Sequence, residues 1–129
     1  MLEAMGSHQV KVCRIVKKLK VWQNAHRLTL DIYQASSKYP KEEAYGLTSQ
    51  TRRASSSIAA NIAEGCCRST DAELARFLHI SAGSASELEY HLLLAKDLHY
   101  LGQSDYDALI DSLTILKRML IAFIKKLKA

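Results

Sequence analysis

The stretch Thr70-Asp71-Ala72-Glu73-Leu74-Ala75-Arg76-Phe77-Leu78-His79-Ile80-Ser81 opens the longest periodic segment of the chain and decides its fold. Thr70 to Glu73 reads as a capping box, in which a hydroxyl and a carboxylate three residues apart satisfy each other's free backbone donors at a helix start. From there Leu74, Phe77, Leu78, Ser81, Ala85, Leu88, Leu92, Ala95 and Leu98 recur at steps of three and four until Gly102, the rhythm of one helical face. The spacing predicts a helix of about 28 residues, roughly 42 Å long.

Downstream, Ser104 is a good N-cap, with Asp105 and Asp107 favouring the positive end of a helix dipole. The helix that follows carries Tyr106, Leu109, Ile110, Leu113, Leu116, Leu120, Phe123, Ile124 and Leu127 and ends in Lys125, Lys126 and Lys128. Ile115, Met119, Ile121 and Ala122 widen its apolar arc beyond one core, which predicts a second buried surface and hence self-association.

Upstream, Leu47, Ala54, Ile58 and Ile62 mark a helix that starts between Ala44 and Leu47 and ends at Ala63 or Glu64, with Gly65 as a left-handed cap. Ala59, Ala60 and Ala63 beside that stripe admit a close neighbour. Before it, Val21, Trp22, Ala25, Leu28, Ile32 and Tyr33 predict a first helix over about residues 17 to 37, stopped by Tyr39-Pro40-Lys41 because proline disfavours helical geometry before it. Four long helices with short connections predict an all-α, up-and-down antiparallel four-helix bundle. It occupies residues 11–129, and residues 1–10, with Met5 and Gly6-Ser7-His8, read as a disordered segment, a vector remnant or an alternative start.

One proline, five glycines and 129 residues agree with a single helical domain. No segment is apolar enough to span a membrane, no signal peptide opens the chain, and three cysteines without CxxC spacing encode neither a disulfide framework nor a zinc site, so a cytoplasmic protein with free Cys66 and Cys67 thiols is expected. His79, His91 and His99 lack the Glu-x-x-His spacing of di-iron bundles, so no metal or cofactor is expected and the imidazoles read as satisfied or exposed. Trp22, Tyr33, Phe77, Tyr90, Tyr106 and Phe123 fall at helical spacings and read as core or interface anchors.

The formal net charge of +5 favours an acidic partner. The topology sorts this charge by bringing both chain ends and the loop around Arg68 to one pole. Lys11, Arg14, Lys17, Lys18 and Lys20 meet Lys117, Arg118, Lys125, Lys126 and Lys128 there, ten of the eighteen lysines and arginines. The opposite pole carries Glu42, Glu43, Asp97, Asp105, Asp107 and Asp111 against Lys38, Lys41 and Lys96.

A polar stripe of Gln50, Arg53, Ser57, Asn61, Glu64 and Arg68 runs along the second helix. It reads first as hydrogen bonding between helices or subunits, with a ligand groove and plain solvation as alternatives. Glu64 offers a base and Arg53 or Arg68 an anion contact, but no second acid or base of that helix stands beside them, and no enzyme is expected.

Val21-Trp22-Gln23-Asn24-Ala25-His26, Tyr45-Gly46-Leu47-Thr48-Ser49-Gln50, Arg52-Arg53-Ala54, Asn61-Ile62-Ala63-Glu64-Gly65, Phe77-Leu78, Ser84 and Glu87-Leu88-Glu89-Tyr90 together resemble a family. It is the small bacterial four-helix-bundle proteins of intervening sequences in 23S ribosomal RNA genes. The resemblance implies a homopentamer and, through a similar fold in the accessory protein of diversity-generating retroelements, contact with nucleic acid and a reverse transcriptase. That family usually has proline where this chain has Ala59, which predicts a straighter second helix here. The expected function is a non-catalytic, oligomeric nucleic-acid-binding or accessory protein whose basic pole contacts phosphates. The alternative is a scaffold that recruits a nucleic-acid-handling protein such as a polymerase.

Overall fold

A computed structural model describes residues 15–128, in which four long helices and one short 3-10 turn make an antiparallel bundle without strands, with residues 15–16 also helical ahead of the first long helix. Helix α1 spans Lys20–Ser36, α2 Leu47–Cys66, α3 Asp71–Asp97 and α4 Gln103–Lys128, with the 3-10 turn Lys41–Glu43 between α1 and α2. Each helix packs on its neighbours in sequence, and α4 closes the ring against α1.

The apolar stripes meet in one core. Leu28, Ile32, Ile58, Ile62, Leu78, Leu88, Leu92, Leu113, Leu116 and Leu120 are its fully buried large side chains. Hydroxyls bond the helices where small residues bring backbones together. Ser81 Oγ donates to the Ile58 carbonyl at 2.8 Å, and Thr29 Oγ1 donates to the carbonyls of Ala25 at 2.9 Å and Ser55 at 3.1 Å. Helix α2 is continuous through Ala59.

Four boundaries differ from expectation. Helix α1 starts at Lys20, because Leu19 is extended (φ −75°, ψ 126°) and separates it from a turn closed by the Lys18 amide on the Ile15 carbonyl at 2.9 Å. Gly65 lies inside α2 and is not left-handed. A Cβ on Gly65 would stand 2.8 Å from Phe77 Cβ and 2.9 Å from Leu74 Cδ1, so this glycine serves the close approach of α3. Helix α3 ends at Asp97, with His99 as the left-handed residue (φ 64°). Its amide bonds to the Lys96 carbonyl at 3.0 Å and that of Tyr100 to the Ala95 carbonyl at 2.9 Å, the paired bonds of a Schellman motif. Ser104 sits inside α4, whose first turn is closed by the Tyr106 amide on the Gly102 carbonyl at 2.9 Å.

No helix among the described residues is long and apolar enough to cross a membrane. Cys66 is a free, half-buried thiol whose pKa burial pushes up, whereas Cys67 is disulfide-bonded, so the expectation of two free thiols holds for Cys66 alone. Spacing along the chain could not show which sulfur the fold brings close.

Candidate nucleic-acid interface

The start of α1, the α2–α3 loop, the start of α3 and the end of α4 meet at one end of the bundle, a consequence of antiparallel order. Lys17, Lys18, Lys20, Arg68, Lys125, Lys126 and Lys128 are all exposed on these segments. Lys11 and Arg14 lie outside the described residues. Arg76, which belongs to no basic run in the sequence, joins the group from the second turn of α3.

Lys117 and Arg118 stand apart from this end. Lys117 is eleven residues before Lys128, about 16 Å along the axis. Its Nζ donates to Glu89 Oε1 on α3 at 3.0 Å, which neutralises it in a half-buried position. A partner 28 residues away is invisible to a reading of charge runs.

The carboxylates at the basic end are Glu64, Asp71 and Glu73. Arg68 takes Glu64 at 2.5 Å within one helical turn. Thr70 Oγ1 accepts from the Glu73 amide at 3.2 Å, one of the two bonds of the expected capping box, with Asp71 and Glu73 in the first turn. Arg68 lies 4.9 Å and Arg76 5.1 Å from the centre of the Phe77 ring, so one half-buried aromatic holds two guanidinium groups at the end of the bundle.

Two depressions flank the last turn of α4. One, of about 610 Å³, has an apolar floor of Leu19, Val21, Met119, Phe123 and Leu127, with Lys20, Lys126 and the carboxylate-bearing Asp71 also lining it. The other, of about 530 Å³, lies between α3 and α4 and is lined by Arg76, His79 and Lys128 together with Asp71.

The opposite end is held by acidic contacts. Burial, and then the nearby Glu43 carboxylate, push the Tyr100 phenol up from its ordinary pKa, while burial alone raises that of Tyr39. Lys96 is occupied by Asp97 at 3.8 Å and by the Tyr106 ring at 4.7 Å.

The polar stripe of α2 bonds mostly within its own helix and crosses to α3 at Ser57. Asn61 Nδ2 donates to the Ser57 carbonyl at 2.8 Å and to Ser57 Oγ at 3.0 Å, and Ser84 Oγ of α3 donates to the same Ser57 Oγ at 3.0 Å. Gln50 and Arg53 are exposed beside Glu87, lining a shallow depression of about 280 Å³ with Ser57 and Ser84. Arg52, outside the stripe, does more for the fold: its Nε donates to Ser36 Oγ at 2.8 Å and its Nη2 to the Tyr33 carbonyl at 3.2 Å, closing the end of α1.

The histidines differ from one another. His91 is buried, with Nε2 3.9 Å from Glu87 Oε1 and Nδ1 without a hydrogen-bond partner among the described residues, against the expectation of a satisfied or exposed ring. No group of three or more His, Cys, Asp or Glu residues among those described could hold a metal ion.

Among solved structures, the chain resembles a protein of unknown function from the S23 ribosomal protein family of Bacteroides thetaiotaomicron, with a TM-score of 0.74 at 25% identity over 81% of this chain and 98% of that chain. No curated protein matches it. Residues 17–122 match the 23S rRNA-intervening sequence protein family, and the chain belongs to that family.

Proposed function

We propose that the protein is a non-catalytic oligomer whose basic end contacts nucleic-acid phosphates with little sequence selectivity. The observation that carries this reading is the convergence of Lys17, Lys18, Lys20, Arg76, Lys125, Lys126 and Lys128, none of which has a carboxylate within salt-bridge distance among the described residues. Surface cations usually lie near opposite charges, and a one-sign cluster raises the local concentration of a polyanion. Lysine and arginine contacts to phosphate position a strand without reading its bases.

Self-association is the second part of the proposal. Ile115 and Ile121 of α4 are 52% and 49% exposed, and Leu30, Tyr33, Tyr90 and Leu93 are exposed on α1 and α3. The homopentamer implied by the sequence resemblance would cover such faces and multiply the basic end fivefold. Light scattering on the full chain, combined with RNA and DNA binding across a salt series, tests the reading. A closed oligomer with steeply salt-dependent binding supports it, and a monomer without salt-dependent binding ends it.

One observation favours a second reading, a scaffold for a nucleic-acid-handling protein. The 610 Å³ depression at the same end has an apolar floor with Lys20 and Lys126 set against one carboxylate, Asp71, a surface suited to an apolar side chain of a protein segment. A partner retained from lysate after nuclease treatment would select it.

A further inference from the structure

We infer that the cleft between the first turns of α3 and the last turn of α4 is a subsite for one phosphate group, held by Arg76, His79 and Lys128. This rests on the anion-binding reading of the basic end and assigns part of that binding to a specific cleft.

The three groups come from two helices and meet only because α3 and α4 run antiparallel. Lys128 Nζ and His79 Nε2 stand 3.3 Å apart. An ammonium has no acceptor, so lysine donates and the imidazole nitrogen accepts. Two basic groups thus spend their short-range contact on each other, and a tetrahedral oxyanion offers both a better partner. Lys128 then donates to a phosphate oxygen, and the imidazole donates as its Nε2–H tautomer or as imidazolium.

Arg76 supplies the directional element. Its guanidinium is fixed 5.1 Å from the Phe77 ring centre and has no hydrogen bond to a protein acceptor among the described residues. A planar fork with its donors uncommitted matches two oxygens of one phosphate. Arg68, on the same ring, is already committed to Glu64. The depression of about 530 Å³ leaves room for the group.

One carboxylate opposes binding. Asp71 also lines the cleft, but it opens α3, five residues before Arg76 and eight before His79. That is about 8 Å and 12 Å of helical rise, and Asp71 forms no salt bridge with any of the three basic groups among the described residues. No other charged residue lines it.

The chemistry is that of a phosphate oxyanion, whether in a nucleic-acid backbone or free. The full-length chain would be titrated with a 20-nucleotide single-stranded RNA and, separately, with inorganic phosphate, while the His79 imidazole resonances, assigned from H79Q, are followed by NMR. The R76Q/K128M variant and an opposite-end control, K38M, would be measured by RNA anisotropy across a salt series. Both changes lie at exposed positions, and circular dichroism verifies folding.

The expected result is a shift of the His79 resonances with RNA, a loss of about tenfold in affinity for R76Q/K128M, a salt slope reduced by about 1, and no change for K38M. RNA binding with unmoved His79 resonances and a wild-type R76Q/K128M overturns the subsite but leaves the basic-end reading. Shifts with inorganic phosphate and no RNA binding overturn the nucleic-acid reading and keep the subsite for free phosphate. No response to either ligand overturns both.

Discussion

Gly65 on α2 and Phe77 on α3 approach so closely that a methyl group on the glycine would stand 2.8 Å from Phe77 Cβ. The Leu74 carbonyl, 3.3 Å from the same point, is backbone and cannot turn away. This contact sets the height of the Phe77 ring, and with it the two guanidinium groups that the ring carries.

Gly65→Ala therefore sets a helix-propensity gain of about 1 kcal/mol against an overpacking cost of about 1–3 kcal/mol. Urea unfolding should show a net loss of about 1 kcal/mol. A more stable variant would mean that α2 and α3 slide apart at little cost.

His99 presents the reverse case. It holds φ 64° to close the Schellman motif, a conformation in which a Cβ costs about 1 kcal/mol. His99→Gly should raise stability by about 0.5–1 kcal/mol in thermal or urea unfolding, and His99→Val should lower it by at least as much.

Arg52 joins the start of α2 to the end of α1 through Ser36 and the Tyr33 carbonyl, and its guanidinium lies 4.6 Å from the Tyr33 ring centre. Arg52→Ala should cost about 1–2 kcal/mol, and a double-mutant cycle with Ser36→Ala should show the two losses to be non-additive. Additive losses would place the role of Arg52 elsewhere.

Alkaline pH should weaken the fold through Tyr39 and Tyr100. Both phenols are held above their ordinary pKa, by burial and, for Tyr100, by Glu43 as well. A raised folded value contributes stability that is intact below about pH 10 and lost as pH climbs through it. The melting temperature should fall above about pH 10, and less steeply for Tyr100→Phe; equal slopes would refute the assignment.

Most of the fold is legible in the sequence because apolar spacing determines which helical face is buried. Leu78, Leu88, Leu92, Leu113, Leu116 and Leu120 all enter the core as their spacing predicts. The boundaries are less legible, since a glycine can serve a turn or a close approach. Gly65 has the position of a cap and is a contact, while the residue that ends α3 is a histidine. At the basic end, the lysine runs of α4 are legible as charge. Arg76 and His79 are not, because each stands alone in sequence, and His79 meets Lys128 only across two helices. Lys117 departs in the opposite direction, its charge taken up by Glu89.

Phosphate contacts at the basic end are tested most directly by the salt dependence of RNA binding. Anisotropy of a 20-nucleotide single-stranded RNA with the full chain, from 50 to 300 mM KCl, gives the slope of log affinity against log salt. The wild-type slope should be steeply negative, and Lys125→Met, Lys126→Met and Lys128→Met together should reduce its magnitude by about 2, near 0.7 for each lysine that meets a phosphate. Absent binding, a flat wild-type slope, or a triple variant with an unchanged slope would contradict a phosphate-binding role for this end of the bundle.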